Sequence, residues 1–117
     1  HLVTALDARM GEIYCASWQC IQDQLTPLSD EAVLGPDRLQ LPSDQVEWVG
    51  VGSGFTLWEK FPAEVQAAML QHLDDLEPRA EEMAWLGADE VAAGRGQLAW
   101  QVQPVYLRND VAWKKPA

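Results

Sequence analysis

The sequence predicts an α/β fold, a mixed sheet with flanking helices. Two observations carry that expectation. Short apolar, β-branched runs crowd the first part of the chain, at 2–6, 12–20 and 46–51. Segments with helical apolar spacing follow at 63–76 and 78–94, and 99–107 then reads as a closing strand. Strands first, then helices alternating with strands, is the order that builds a mixed sheet with helices on one or both faces. A chain of 117 residues is one domain by length. It is long enough to bury about two-thirds of its unfolded surface.

Leu2-Val3-Thr4-Ala5-Leu6 has the composition of a buried strand. Asp7 to Gly11 is a turn, with Gly11 free to take positive φ. Glu12 to Cys20 is a second strand, with Tyr14, Ala16 and Trp18 on one face and Ile13, Cys15 and Ser17 on the other. The two form a hairpin with a loop of about four residues. A third strand falls at Gln24–Leu28 or at Glu31–Leu34, and Pro27, Gly35 and Pro36 place it at an edge. Pro36-Asp37-Arg38-Leu39 fits one helical turn that starts with proline. Val46 to Val51 is a further strand, ended by Gly50-Val51-Gly52-Ser53-Gly54.

Ala63 to Leu76 carries Val65, Ala68, Met69, His72, Leu73 and Leu76 at helical spacing. His72 on that stripe reads as a half-buried, hydrogen-bonded histidine rather than a ligand. Pro78 to Gly94 is the clearest helix, with Glu81 and Glu82 near its positive end and Arg95 beside the Gly94/Gly96 pair that closes it. Ala80, Ala84, Gly87 and Val91 make a narrow small-residue face suited to packing on a sheet.

Eight Lys and Arg against eighteen Asp and Glu give a net charge of −10. Nucleic-acid affinity comes from neutralising phosphates with cations. Such a chain should repel tRNA except at a local basic patch, and its acidity suits solubility or docking on a basic protein. Cys15 and Cys20 lie on opposite faces of one strand, which rules out a disulfide between them. With no Cys-x-x-Cys and no paired histidine they argue against a metal or redox site, and both read as small core residues in a reducing compartment. No apolar run approaches the roughly 18 residues that cross a bilayer, and no basic, apolar leader precedes the first strand, so a cytoplasmic location is expected. The chain starts at His1 rather than Met and enters a strand almost at once. That start reads as the second part of a longer protein, or else as a tag remnant before a small complete domain.

Catalytic motifs are missing from the sequence. It has no Gly-x-Ser-x-Gly elbow and no His-x-x-x-His pair, and its two histidines, His1 and His72, cannot build a site. The glycine run lacks the Gly-Lys-Ser/Thr of a P-loop, and Phe55 stands where Gly-x-Gly-x-x-Gly would end. The basic and aromatic residues Tyr106, Arg108, Trp113, Lys114 and Lys115 cluster at the C-terminus. Such a cluster can stack on bases and meet phosphates, or Trp113 can pack into the domain while the lysines stay in water.

Three segments together point to a family: Gln103-Pro104-Val105-Tyr106-Leu107-Arg108-Asn109 running on to Ala112-Trp113-Lys114-Lys115, Asp7-Ala8-Arg9-Met10-Gly11-Glu12-Ile13-Tyr14, and Trp48-Val49-Gly50-Val51-Gly52-Ser53-Gly54. The chain resembles the bacterial TsaB (YeaZ-type) proteins over almost its whole length, matching their C-terminal half. The resemblance implies an actin-like (ribonuclease-H-like) C-terminal lobe over residues 1–117, with the N-terminal lobe and its Gly-Pro-Gly-Ser-Phe-Thr-Gly motif absent. It implies a non-catalytic partner subunit for forming threonylcarbamoyladenosine at position 37 of tRNA. The expected partners are a TsaD-like ligase and a TsaE-like ATPase, with tRNA met only through the complex, no membrane, and a homodimer for the full-length protein. The motif residues Asp7, Arg9, Gly11, Glu12, Tyr106, Arg108, Asn109, Trp113, Lys114 and Lys115 become interaction candidates.

In active members of the actin-like superfamily the first hairpin grips phosphates and a carboxylate holds the metal. Ala8, Arg9 and Met10 replace the small polar residues here, so Asp7 reads as a turn carboxylate bonding its own loop amides. The glycine turn reads two ways. Gly50, Gly52 and Gly54 let the backbone lie against adenosine in actin-like folds, and they also serve as a plain strand-to-helix connection. No cofactor is expected in this chain alone, and ATP with magnesium only in the complete complex. A nucleotide-binding actin-like ATPase lobe and a stand-alone interaction module are the competing readings. Protease activity, suggested by the glycoprotease-like name of some relatives, is discounted because zinc ligands are lacking.

Overall fold

The computed structural model describes residues 1–108. Asn109, Trp113, Lys114 and Lys115 lie outside the described residues. The chain divides into two compact units: residues 1–76 with 107–108, and Glu77–Tyr106.

The first unit is built on a mixed sheet. Strand β1 (Leu2–Arg9) pairs antiparallel with β2 (Glu12–Ile21). On the far side of β2 lie β3 (Gln24–Pro27) and β4 (Ala32–Leu34), both antiparallel to it. Both of the candidate third strands therefore form, each along a different stretch of β2. Strand β5 (Trp48–Val51) pairs parallel with β1, and β6 (Met69–Leu73) pairs parallel with β5. The path through the sheet is β3-β2-β1-β5-β6.

The core gathers on one face. Val3, Ala5, Ile13 and Cys15 alternate inward from the hairpin, and Trp48 enters from β5. Phe55, within a stretch of 3-10 helix over Ser53–Lys60, and Phe61, just after it, stack on each other at 5.1 Å. Trp48 and Phe55 are fully buried, and each large side chain so removed from water contributes about 2 kcal/mol. The Trp48 indole N–H donates to the Ser43 carbonyl at 2.8 Å, so its one polar group is satisfied. Cys15 is buried in the core, but Cys20, expected there as well, is exposed because it lies on the other face of the strand; both thiols are free.

Three expectations are corrected. The hairpin has no four-residue loop: β1 continues to Arg9, and Met10 and Gly11 make the turn, with a register shift between Asp7 and Arg9. The helix expected over Ala63–Leu76 stops early, because α1 spans Ala63–Ala68 and the chain passes directly into β6. Spacing at Val65, Ala68, Met69 and His72 fits a helix, but the open edge of β5 offers ladder hydrogen bonds to 69–73, and that pairing wins. The strand expected at Ala99–Leu107 is absent. Ala99–Gln101 is a single 3-10 turn and no ladder follows, since a strand needs an edge to pair with and Glu77–Tyr106 holds none.

In the second unit α2 (Ala80–Ala92) forms where the sequence placed it. Glu81 and Glu82 occupy its first turn and pair with Arg79. Gly94 at φ +79 ends it, and the Arg95 side chain returns to Glu90 at 2.7 Å. None of the residues of α2 is buried.

Candidate interaction site at the hairpin tip

The tip of the β1–β2 hairpin is unusual for its residue types. Arg9 (φ 65), Met10 (φ 59) and Gly11 (φ 74) are all left-handed. Positive φ at both Met10 and Gly11 gives the turn a twist that matches a two-residue hairpin. Glycine adopts it freely, whereas arginine and methionine each hold it against a cost of about 1–2 kcal/mol. One local bond braces the entry to the turn. The Asp7 carboxylate accepts the Arg9 backbone N–H at 2.8 Å. Asp7 is thus a turn carboxylate bonded to its own loop.

Arg108 completes the tip from the far end of the chain. Its guanidinium donates to the Ala8 carbonyl at 2.9 Å and the Arg9 carbonyl at 3.4 Å, and it pairs with the Glu12 carboxylate at 2.7 Å. It lies 5.9 Å from the centre of the Tyr14 ring. The side chain is 16% exposed, so these contacts are shielded more than those of a surface pair. Its neighbour Leu107 lines a groove of about 210 Å³ on the sheet face opposite the core, with Leu6, Tyr14, Ala16 and Trp18. Of the candidate C-terminal cluster, Arg108 is committed to the hairpin, whereas Tyr106 is exposed.

The glycine turn meets the same hairpin. Ser53 Oγ accepts the Asp7 backbone N–H at 2.9 Å. Gly52, at φ +119, lies so close to β1 that a Cβ there would stand 2.2 Å from the Ala5 carbonyl oxygen. A Cβ on Gly54 would stand 2.8 Å from the Ala5 Cβ, and one on Gly50 2.5 Å from the Phe55 ring. The three glycines therefore admit β1 and Phe55, and the space each opens is filled by the protein itself.

His72, on β6, packs against aromatic rings of the 3-10 stretch. Its ring stacks on Trp58 at 4.5 Å and on Phe55 at 5.7 Å, and Nδ1 contacts the Asp74 carboxylate. It is half-buried and hydrogen-bonded, as the sequence suggested, but on a strand rather than a helix. Among the described residues no group of three or more His, Cys, Asp or Glu side chains could hold a metal ion, and no helix is long and apolar enough to cross a membrane.

The structure thus brings Asp7, Arg9, Gly11, Glu12 and Arg108 together at the tip, and sets Gly52 and Gly54 against β1 behind it. Ser53 and Tyr14 were not singled out as contacts. Their partners lie on other elements, and for Ser53 the separation is 46 positions.

No family model matches the chain. It is 37% identical over 118 residues to the tRNA threonylcarbamoyladenosine biosynthesis protein TsaB of Escherichia coli K12, covering 98% of this chain and 51% of that protein. It is 29% identical over 127 residues to the protein of the same name from Haemophilus influenzae, covering 98% and 50%. The crystal structure of an uncharacterized Pseudomonas aeruginosa protein with similarity to peptidase YEAZ superposes with a TM-score of 0.80 at 35% identity, over 92% of this chain and 49% of that one. YeaZ from Pseudomonas aeruginosa gives 0.78 at 34% identity, over 90% and 49%. The TsaB (YeaZ-type) resemblance read from the three motifs extends over nearly the whole chain, and the fold is the α/β, actin-like (ribonuclease-H-like) one of the YeaZ structures. The chain spans about half the length of the curated relatives it matches.

Proposed function

We propose that this chain is the C-terminal lobe of a two-lobed TsaB-type protein, a non-catalytic partner subunit in forming threonylcarbamoyladenosine at position 37 of tRNA. The observation that carries the reading is the 37% identity to TsaB across 98% of the chain. In this reading a TsaD-type ligase does the chemistry, a TsaE-type ATPase works beside it in the cytoplasm, and tRNA reaches this subunit through the complex. A scaffold role agrees with the poverty of catalytic side chains, two histidines in all, and with a net charge of −10 that disfavours direct hold on RNA.

The test is genetic and chemical. A cell depleted of its own TsaB, supplied with this chain joined to the N-terminal half of that TsaB, should regain threonylcarbamoyladenosine in digested tRNA measured by mass spectrometry. Recovery that persists when the TsaD-type subunit is also removed would place the catalysis in this protein and overturn the scaffold reading. No recovery at all would remove the TsaB assignment of function.

A further inference from the structure

We propose that Arg108 is a positioning residue that holds the hairpin tip, Asp7 to Glu12, in its working conformation. The proposal rests on the TsaB-type reading above. The tip displays Arg9 and Met10, both exposed and both left-handed, in a backbone that long side chains disfavour. Such a conformation persists where its surroundings over-determine it. Arg108 supplies that determination from outside the hairpin. It donates to two successive carbonyls, Ala8 and Arg9, on the strand entering the turn, and to Glu12 on the strand leaving it. One planar guanidinium thus clamps both sides of the turn. A lysine, with a point charge and no fork, cannot engage all three acceptors in that geometry.

With Leu107 against the open sheet face and Arg108 at the tip, these two residues and the Asp-Ala-Arg-Met-Gly-Glu segment form one surface, though Arg108 and Glu12 lie 96 positions apart. The function assigned to either segment then requires both, and Arg108 acts through the tip rather than by touching phosphate or base.

Amide hydrogen exchange of this chain reads the clamp directly. Arg108→Ala and Glu12→Gln should each speed exchange at the tip amides about tenfold, with the core strands unchanged. Arg108→Lys should fall between Ala and wild type. In the depleted cell, Arg108→Glu should lower threonylcarbamoyladenosine about tenfold, and adding Glu12→Arg should restore much of it. Tip exchange that is unchanged in Arg108→Ala overturns the clamp. Faster exchange with undiminished tRNA modification overturns its functional role. Should Arg108→Ala fail to fold, Glu12→Gln, which keeps Arg108, decides by the same exchange readout. If the wild-type protein supports no modification, the functional role falls together with the TsaB-type reading. The exchange result still reports on the clamp, so the two failures are told apart.

Discussion

Ser53 Oγ accepts the backbone N–H of Asp7 at 2.9 Å, joining the glycine turn to the hairpin across 46 positions. This bond uses the amide of the residue whose carboxylate braces Arg9. Two of the three family motifs are therefore one piece of structure. The third reaches the same tip through Arg108.

Gly52→Ala should destabilise the first unit by about 3 kcal/mol. The residue sits at φ +119, and its new Cβ would strike the Ala5 carbonyl. Chemical denaturation followed by far-ultraviolet circular dichroism checks this. A loss below about 0.5 kcal/mol would show that β1 and the glycine turn are less tightly joined than the structure has them.

The two thiols should react at very different rates. Burial pushes the Cys15 thiol up from its ordinary value, and the residue is enclosed in the core, while Cys20 is exposed. Iodoacetamide on the native protein should label Cys20 alone, with Cys15 modified only after denaturant is added. Peptide mapping by mass spectrometry reads the result, and equal labelling would contradict the core packing of β2.

Acid should weaken α2. The Arg79 hydrogen bond holds the Glu82 carboxyl below its usual range, and the Arg95 bond does the same for Glu90. A depressed carboxylate stabilises the folded state above its ordinary value of 4.5 and loses that contribution as pH falls through the depressed value. The helical shifts of Ala80–Ala92 should therefore hold steady from neutral pH to about 4.5 and decline below it. Both pairs are exposed, so the effect should be small and should shrink in high salt. A helix signal that strengthens below pH 4 would refute the assignment.

This chain alone should not bind tRNA measurably at physiological salt. Each phosphate neutralised contributes about one unit of salt slope, and Arg108 is already spent on Glu12. Fluorescence anisotropy with labelled tRNA tests it. Micromolar binding with a steep salt dependence would place tRNA contact on this chain itself. Loss of that binding in Lys114→Glu with Lys115→Glu would locate it in the tail.

Much of the fold was legible because its elements are marked locally. Alternation over 12–20 set Ile13 and Cys15 on one face, which proved to be the core face, and Pro36 opened its short 3-10 turn as proline should. The expected helix at 63–76 failed because Val65, Ala68, Met69 and His72 satisfy helical periodicity, while the edge that captured 69–73 belongs to β5. The closing strand at 99–107 failed for the converse reason: β-prone residues there have no edge in their own unit.

By itself the sequence determined the α/β class, the hairpin, the faces of the two cysteines and the family resemblance, because strand alternation, helix caps and contiguous motifs are written within a few residues of each other. Only the tertiary structure decided what the motif residues touch. The glycines at 50, 52 and 54 are small because β1 and Phe55 occupy the space beside them. Arg108, which reads in sequence as part of a basic tail, is the clamp on Glu12, because its partners are set by the return of the chain to the hairpin. Contacts across so many positions leave no local pattern, since they depend on where the sheet brings the two segments together.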